Sequence, residues 1–230
     1  TILNNLGTAS KELGELEKAI NFYQKVLEID PNHTNANYNL ALIFYKSKEL
    51  IKAKKYLEKT IKIQPNYALA HFNLGNLQKE LKELKKAKLS YLKATELRPS
   101  FAIAHNNLGL VFSEMGNPKK AISSYNRAIE INPRHAGAYN NLARVYTETG
   151  EFEKAAEAHL VAIKLEPENL MHCFYLSELK KSFLDKNIKN KTKKILNNNP
   201  HQLNLVFGNF LLSRYDREEK NYEKEFDSLT

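Results

Sequence analysis

The stretch "NLGLVFSEMGNPKKAISSYNRAIEINP", Asn107 to Pro133, decides the fold. Its apolar residues have the spacing of two helices, with Gly116-Asn117-Pro118 between them and Pro133 at its end. Two helices of about a dozen residues each cannot bury a core in water on their own. The stretch therefore needs neighbours of its own kind, and the rest of the chain supplies them. Pro31, Pro65, Pro99, Pro133 and Pro167 are each 34 residues apart. Ala19, Ala53, Ala87, Ala121 and Ala155 keep the same step, as do Leu6, Leu40, Leu74, Leu108 and Leu142. A fourth ladder is made by Asn5, Asn39, Asn73, Asn107 and Asn141. Four ladders in one phase make the chain a repeat array, in which each unit contacts mainly its neighbours.

The unit is a helical hairpin. In the fifth one, Ala138, Tyr139, Leu142, Ala143, Val145 and Tyr146 follow helical spacing, and so do Phe152, Ala155, Ala156, His159, Ala162, Ile163 and Leu165. Gly150 lies between the runs, where a helix end commonly takes the left-handed conformation, and Pro167 follows the second run. Small residues (Gly75, Gly109 or Ala143 in the first helix, the alanine ladder in the second) let helix axes approach to about 8–10 Å. Helix pairs are predicted at 34–47 with 50–64, 68–81 with 84–98, 102–115 with 118–132, and 136–149 with 152–166, with no strand in 1–167.

These residues resemble the tetratricopeptide pattern: an aromatic, two residues, Leu-Gly, two residues, Tyr, then Ala, three residues, an aromatic, and a closing Pro. Here the pattern reads Tyr139, Leu142, Ala143, Tyr146, Ala155, His159 and Pro167 in one unit. It reads His105, Leu108, Gly109, Phe112, Ala121, Tyr125 and Pro133 in another. Departures are local: Leu3 and Asn37 stand at the first aromatic position, and Lys48 and Lys82 replace the hairpin glycine. The resemblance implies an all-α, right-handed superhelical solenoid of antiparallel helix hairpins. Residues 1–167 hold five repeats, the first partial at its start. Residues 168–200 keep a degenerate sixth that has lost one residue at its turn, which places Ile188, Ile195 and Leu196 near the alanine ladder. Residues 201–230 form a degenerate seventh, capping or linker segment, with Phe207, Gly208, Leu211, Tyr222 and Phe226 in helical spacing.

In that family the first helices line a concave groove. An amide offers both a donor and an acceptor to an extended peptide backbone, and the tetratricopeptide arms of O-GlcNAc-type glycosyltransferases use asparagine at this repeat position to hold peptide main chain. The resemblance thus implies a peptide-binding groove at Asn5, Asn39, Asn73, Asn107 and Asn141, with Tyr175 replacing the amide in the sixth unit. Around the ladder, Tyr38, Leu42, Tyr45, Leu69 and Phe72 make an apolar, aromatic stretch suited to side chains, while Asn106, Asn140, Arg144 and Thr147 make the later groove polar.

The net charge is +9, but 29 of the 35 basic residues are Lys and Asn reaches 26, a bias typical of A/T-rich coding. Residues 46–62 hold seven Lys against two Glu, and residues 180–194 seven Lys against one Asp. Lys52, Lys55, Lys59 and Lys62 fall on a second helix, on the convex back, as a solvated helix face would. With Arg scarce and no nucleic-acid motif, the charge does not argue for nucleic acid. Catalytic chemistry has no candidate. His71 and His105 sit on successive first helices, too far apart to share a metal, and are expected to pack where the family has an aromatic. Cys173 has no CxxC partner, and no metal or cofactor is expected. A lone cysteine fits a reducing, cytoplasmic setting, and no run is long enough for a membrane span. The expected role is a protein–protein interaction module. The alternative is the recognition arm of a larger sulfotransferase or O-GlcNAc-type transferase. The chain begins inside a helix and its last residues loosely resemble the linker of bacterial tetratricopeptide sulfotransferases, so a further domain of the same parent chain is an expected partner.

Overall fold

The computed structural model describes residues 2–180, 183–198 and 201–218. Within them the chain forms thirteen helices and no strand. The helices are α1 Ile2–Glu12, α2 Leu16–Ile29, α3 Thr34–Lys46, α4 Leu50–Ile63, α5 Ala68–Glu80, α6 Leu84–Leu97, α7 Ala102–Glu114, α8 Pro118–Ile131, α9 Ala136–Glu148, α10 Phe152–Leu165, α11 Leu170–Leu179, α12 Lys186–Asn197 and α13 Gln202–Glu218. The eight helices expected between residues 34 and 166 are all present, each ending one residue earlier than its predicted bound. The helices follow one another as antiparallel hairpins. It divides into two compact units, residues 1–117 and 118–230.

The same turn closes each of the five hairpins. A backbone N–H reaches back five residues: Glu15 to Ser10 O, Glu49 to Phe44 O, Glu83 to Gln78 O, Asn117 to Phe112 O and Glu151 to Tyr146 O, at 2.8–2.9 Å. This bond satisfies a carbonyl orphaned at the end of the first helix, and the residue before it must be left-handed. That residue is Gly14, Gly116 or Gly150, but Lys48 at φ 61° and Lys82 at φ 60° in the second and third repeats.

In the first unit α2 packs on α1 and α3, α4 on α3 and α5, and α6 on α5 and α7. First helices also meet one another, α1 with α3 and α5 with α7, so they share one face. The alanines at 19, 53 and 87 and the larger residues four positions on, Tyr23, Leu57 and Tyr91, are at most 1% exposed and fill the junctions with Leu40, Leu74 and Leu77. Glycine lets two of these rings in. A Cβ on Gly7 would lie 2.8 Å from the Tyr23 ring, and one on Gly75 2.8 Å from the Tyr91 ring.

In the second unit α9 packs on α8 and α10, α10 on α11, and α13 on both α11 and α12. Thr192 of α12 is fully buried at the position that holds Tyr, Leu or His in earlier repeats once one residue is deleted, whereas Ile188, Ile195 and Leu196 are half-buried. Leu196 closes instead on Gly208 of α13. Asn204 fastens α13 to the start of α11, accepting from the Leu170 N–H at 3.0 Å and donating to Glu168 O at 2.9 Å. Lys189 and Asp216 pair at 2.9 Å with little exposure, and the Lys189 ammonium lies 4.1 Å from the Tyr215 ring centroid. Pro200, Tyr222 and Phe226 lie outside the described residues.

Candidate functional site

The asparagine ladder stands on the first helices α1, α3, α5, α7 and α9. Asn5 is exposed and Asn39, Asn73, Asn107 and Asn141 are half-buried. Three of these amides are already engaged. Asn39 Oδ1 accepts from Lys11 Nζ at 2.7 Å, Asn73 Nδ2 donates to Tyr38 Oη at 2.8 Å, and Asn107 Nδ2 donates to Asn76 Oδ1 at 2.9 Å. Each bond joins one repeat to the next. Asn39 Nδ2 and Asn73 Oδ1 keep no partner among the described residues. Asn76 has no place in the pattern read from the sequence. It also accepts from the Tyr91 hydroxyl at 2.6 Å, linking the buried tyrosine to the surface ladder. Its place three residues after Asn73, on the same helical face, was the available signal.

The aromatic stretch is half-buried. Tyr38 packs on Tyr67 at 4.9 Å between ring centroids, and Phe72, one repeat on, packs on Phe101 at 4.8 Å and on Tyr91 at 6.0 Å. These rings therefore seal repeat junctions while keeping one edge on the first-helix face. Burial, opposed by the Asn73 bond, pushes the Tyr38 hydroxyl up to about 12, and burial beside Glu80 does the same for Tyr45. Both remain neutral hydrogen-bonding groups at physiological pH. Leu42 and Leu69 are half-buried beside them. Tyr45, Asn76, Glu80, Lys82 and Glu114 line an open cleft of about 430 Å³.

Asn106 departs from expectation. It is only 7% exposed, and its amide donates to the neighbouring Asn107 Oδ1 at 3.2 Å, so it supports the ladder from below rather than presenting a surface. One residue turns a helix by about 100°, enough to carry the second of two adjacent asparagines out of the core.

In the second unit Asn140, Asn141 and Arg144 line a cavity of about 260 Å³ together with His159 and Tyr175. Asn140 Oδ1 is 3.4 Å from His172 Nδ1, and Arg144 is exposed, its Nε 4.0 Å from Glu148 Oε1. His159 is 2% exposed and stacks on Tyr175 at 5.8 Å and 18°. Burial, aided by the nearby His172, lowers its pKa to about 4, so it is neutral near pH 7.

The histidines at the first aromatic position do more than pack. His71 Nε2 lies 2.8 Å from Pro65 O and His105 Nε2 3.1 Å from Pro99 O, while Asn37 Nδ2 reaches Pro31 O at 3.2 Å. Each satisfies the carbonyl of the proline six residues back. Cys173 is 1% exposed and burial raises its thiol pKa, which disfavours a thiolate nucleophile. No group of three His, Cys, Asp or Glu side chains able to hold a metal occurs among the described residues. No helix among them is long and apolar enough to cross a membrane.

The relatives agree with this fold. Models of the tetratricopeptide repeat match residues 102–135, 56–88, 124–157 and 34–67, and a model of the TPR repeat matches 2–48 and 75–116. Together they span residues 2–157 without a gap. No curated protein matches the chain. Among solved structures, one of MamA is 28% identical with a TM-score of 0.67, covering 71% of this chain and 95% of that one. A structure of YrrB, described as a TPR protein with an unusual peptide-binding site, is 26% identical with a TM-score of 0.66, over 74% of this chain and 88% of that one. PilF of Pseudomonas aeruginosa shares the fold at 22% identity and a TM-score of 0.75, over 95% and 96% of the two chains. The chain belongs to the tetratricopeptide repeat family.

Proposed function

We propose that this protein-interaction module binds an extended segment of a partner protein along its first-helix face, gripping the segment's main chain with the asparagine ladder. The observation that carries the reading is the fixed, partly unspent state of the ladder: Asn39, Asn73 and Asn107 are each held by a bond to a neighbouring repeat, and Asn39 Nδ2 and Asn73 Oδ1 still offer a donor and an acceptor. A fixed amide loses little conformational entropy when it meets a ligand. The ridge of Tyr38, Leu42 and Phe72 beside it would meet the segment's side chains. The module has no catalytic role in this reading, and its buried Cys173 agrees with a reducing compartment such as the cytoplasm.

The test uses the whole chain and extended peptides selected on it. Asn73→Ala with Asn107→Ala should weaken binding about tenfold or more whatever the peptide's side chains, because each lost hydrogen bond is worth about 0.5–1.5 kcal/mol. Lys55→Ala with Lys59→Ala, on the second helix α4, should leave affinity nearly unchanged. Loss of binding in the lysine pair with none in the asparagine pair would move the site to the second-helix face.

A further inference from the structure

The ladder ends where the cavity of the second unit begins. At the sixth repeat the amide position is Tyr175, and its ring forms one wall of the space of about 260 Å³ where α9, α10 and α11 meet. That volume lies below the roughly 300–1,000 Å³ of small-molecule sites and suits one large side chain. Met171 and Leu179 supply thioether and aliphatic walls, and the His159 ring backs Tyr175. Both carboxylates in its lining already face a guanidinium. Glu148 Oε1 lies 4.0 Å from Arg144 Nε, and Glu178 Oε1 3.1 Å from Arg214 Nη2. No unbalanced charge is left to favour a lysine, arginine or acid, so the occupant is neutral. The stacked Tyr175–His159 pair and the sulfur of Met171 favour a ring over an aliphatic chain.

We propose that this cavity receives one aromatic side chain of the bound partner segment and so sets its register. A main-chain grip is blind to sequence, and a segment held only by amides could slide by one residue or by a repeat. One anchored ring removes that freedom. The inference rests on the reading of the first-helix face as a peptide site.

The chain has two methionines, Met115 and Met171, so labelling with methyl-¹³C methionine gives a reporter in the cavity and a control in the first unit. The probes are a serine–alanine peptide with one central tryptophan and the same peptide with alanine there. The tryptophan peptide should bind about tenfold or more tightly and shift the Met171 methyl by its ring current while leaving Met115 in place. Tyr175→Asn, which restores the ladder residue of the other repeats, should bring the two affinities close together without weakening the alanine peptide. Equal affinity of the two peptides for the unaltered chain, or equal shifts at both methionines, would overturn the cavity proposal. If that equal binding is still weakened by Asn73→Ala, the amide grip stands without the anchor. If neither peptide binds or shifts a methyl, both readings fall.

Discussion

In two hairpins of the first unit, a pair of residues sixteen apart determines how closely the helices approach. Gly7 faces Tyr23 and Gly75 faces Tyr91, with less than 3 Å to spare for a Cβ. Gly109 and Tyr125 keep the pairing in sequence, whereas Ala41 goes with Leu57 and Ala143 with His159. The chain thus trades volume across one contact, as close packing demands. Gly75→Ala should destabilise the first unit by about 1–3 kcal/mol despite the better helix propensity of alanine, because the Tyr91 ring must move. Adding Tyr91→Leu should recover part of that loss, which urea unfolding of the single and double variants would reveal. The left-handed lysines obey a different balance. Backbone strain of about 1 kcal/mol acts at both, but Lys48 reaches Glu80 at 2.7 Å while Lys82 is 3.9 Å from Glu114 and 81% exposed. Lys82→Gly should therefore raise the melting temperature more than Lys48→Gly, and equal gains would show that the Lys48–Glu80 bridge contributes nothing.

At the scale of the element, the hairpins were legible because everything that makes them is local: a 3.6-residue period, a turn glycine or its lysine substitute, and a proline. In the sixth repeat the sequence pointed to Ile188, whereas Thr192 is the buried residue of α12, on which α13 packs. Bonding between repeats was hidden. Nothing in the residue types distinguishes Asn106, turned inward, from Asn107, turned outward, or says that Asn39 is met by Lys11. His159 also has a consequence that spacing alone cannot supply. Its pKa falls from 6.5 to about 4, so between those values the unfolded chain binds a proton that the folded chain refuses. Its contribution therefore lowers stability as pH drops from about 6.5, levelling off below about 4, by about 3 kcal/mol in all. His159→Leu, with the side chain that pairs with Ala41 in the second repeat, should flatten this part of the acid response of α9–α11. Amide exchange of those helices at pH 7 and pH 5 would measure it, and an unchanged pH dependence in the variant would remove His159 as the cause.

For the molecule as a whole, the charge is mostly spread along solvated faces. Lys18, Lys52, Lys86 and Lys154, at one position of the second helices α2, α4, α6 and α10, each pair with the glutamate three residues before. Such pairs are worth little individually, whereas the first-helix face holds the oriented amides of Asn39 and Asn73, each with an unspent atom. The grip proposed for this face is on the partner's main chain. Its most direct test is calorimetric titration of a bound peptide against its counterparts carrying a single backbone N-methyl group, each measured on the unaltered chain and on Asn73→Ala. Asn73 Oδ1 is an acceptor without a partner among the described residues, so it should take one backbone N–H. Methylating that N–H should cost about fivefold to tenfold in affinity on the unaltered chain and less than about twofold on Asn73→Ala, since the acceptor is already gone. If every N-methyl position costs the same on both proteins, the amide at position 73 does not hold the backbone and the ladder is a packing feature alone.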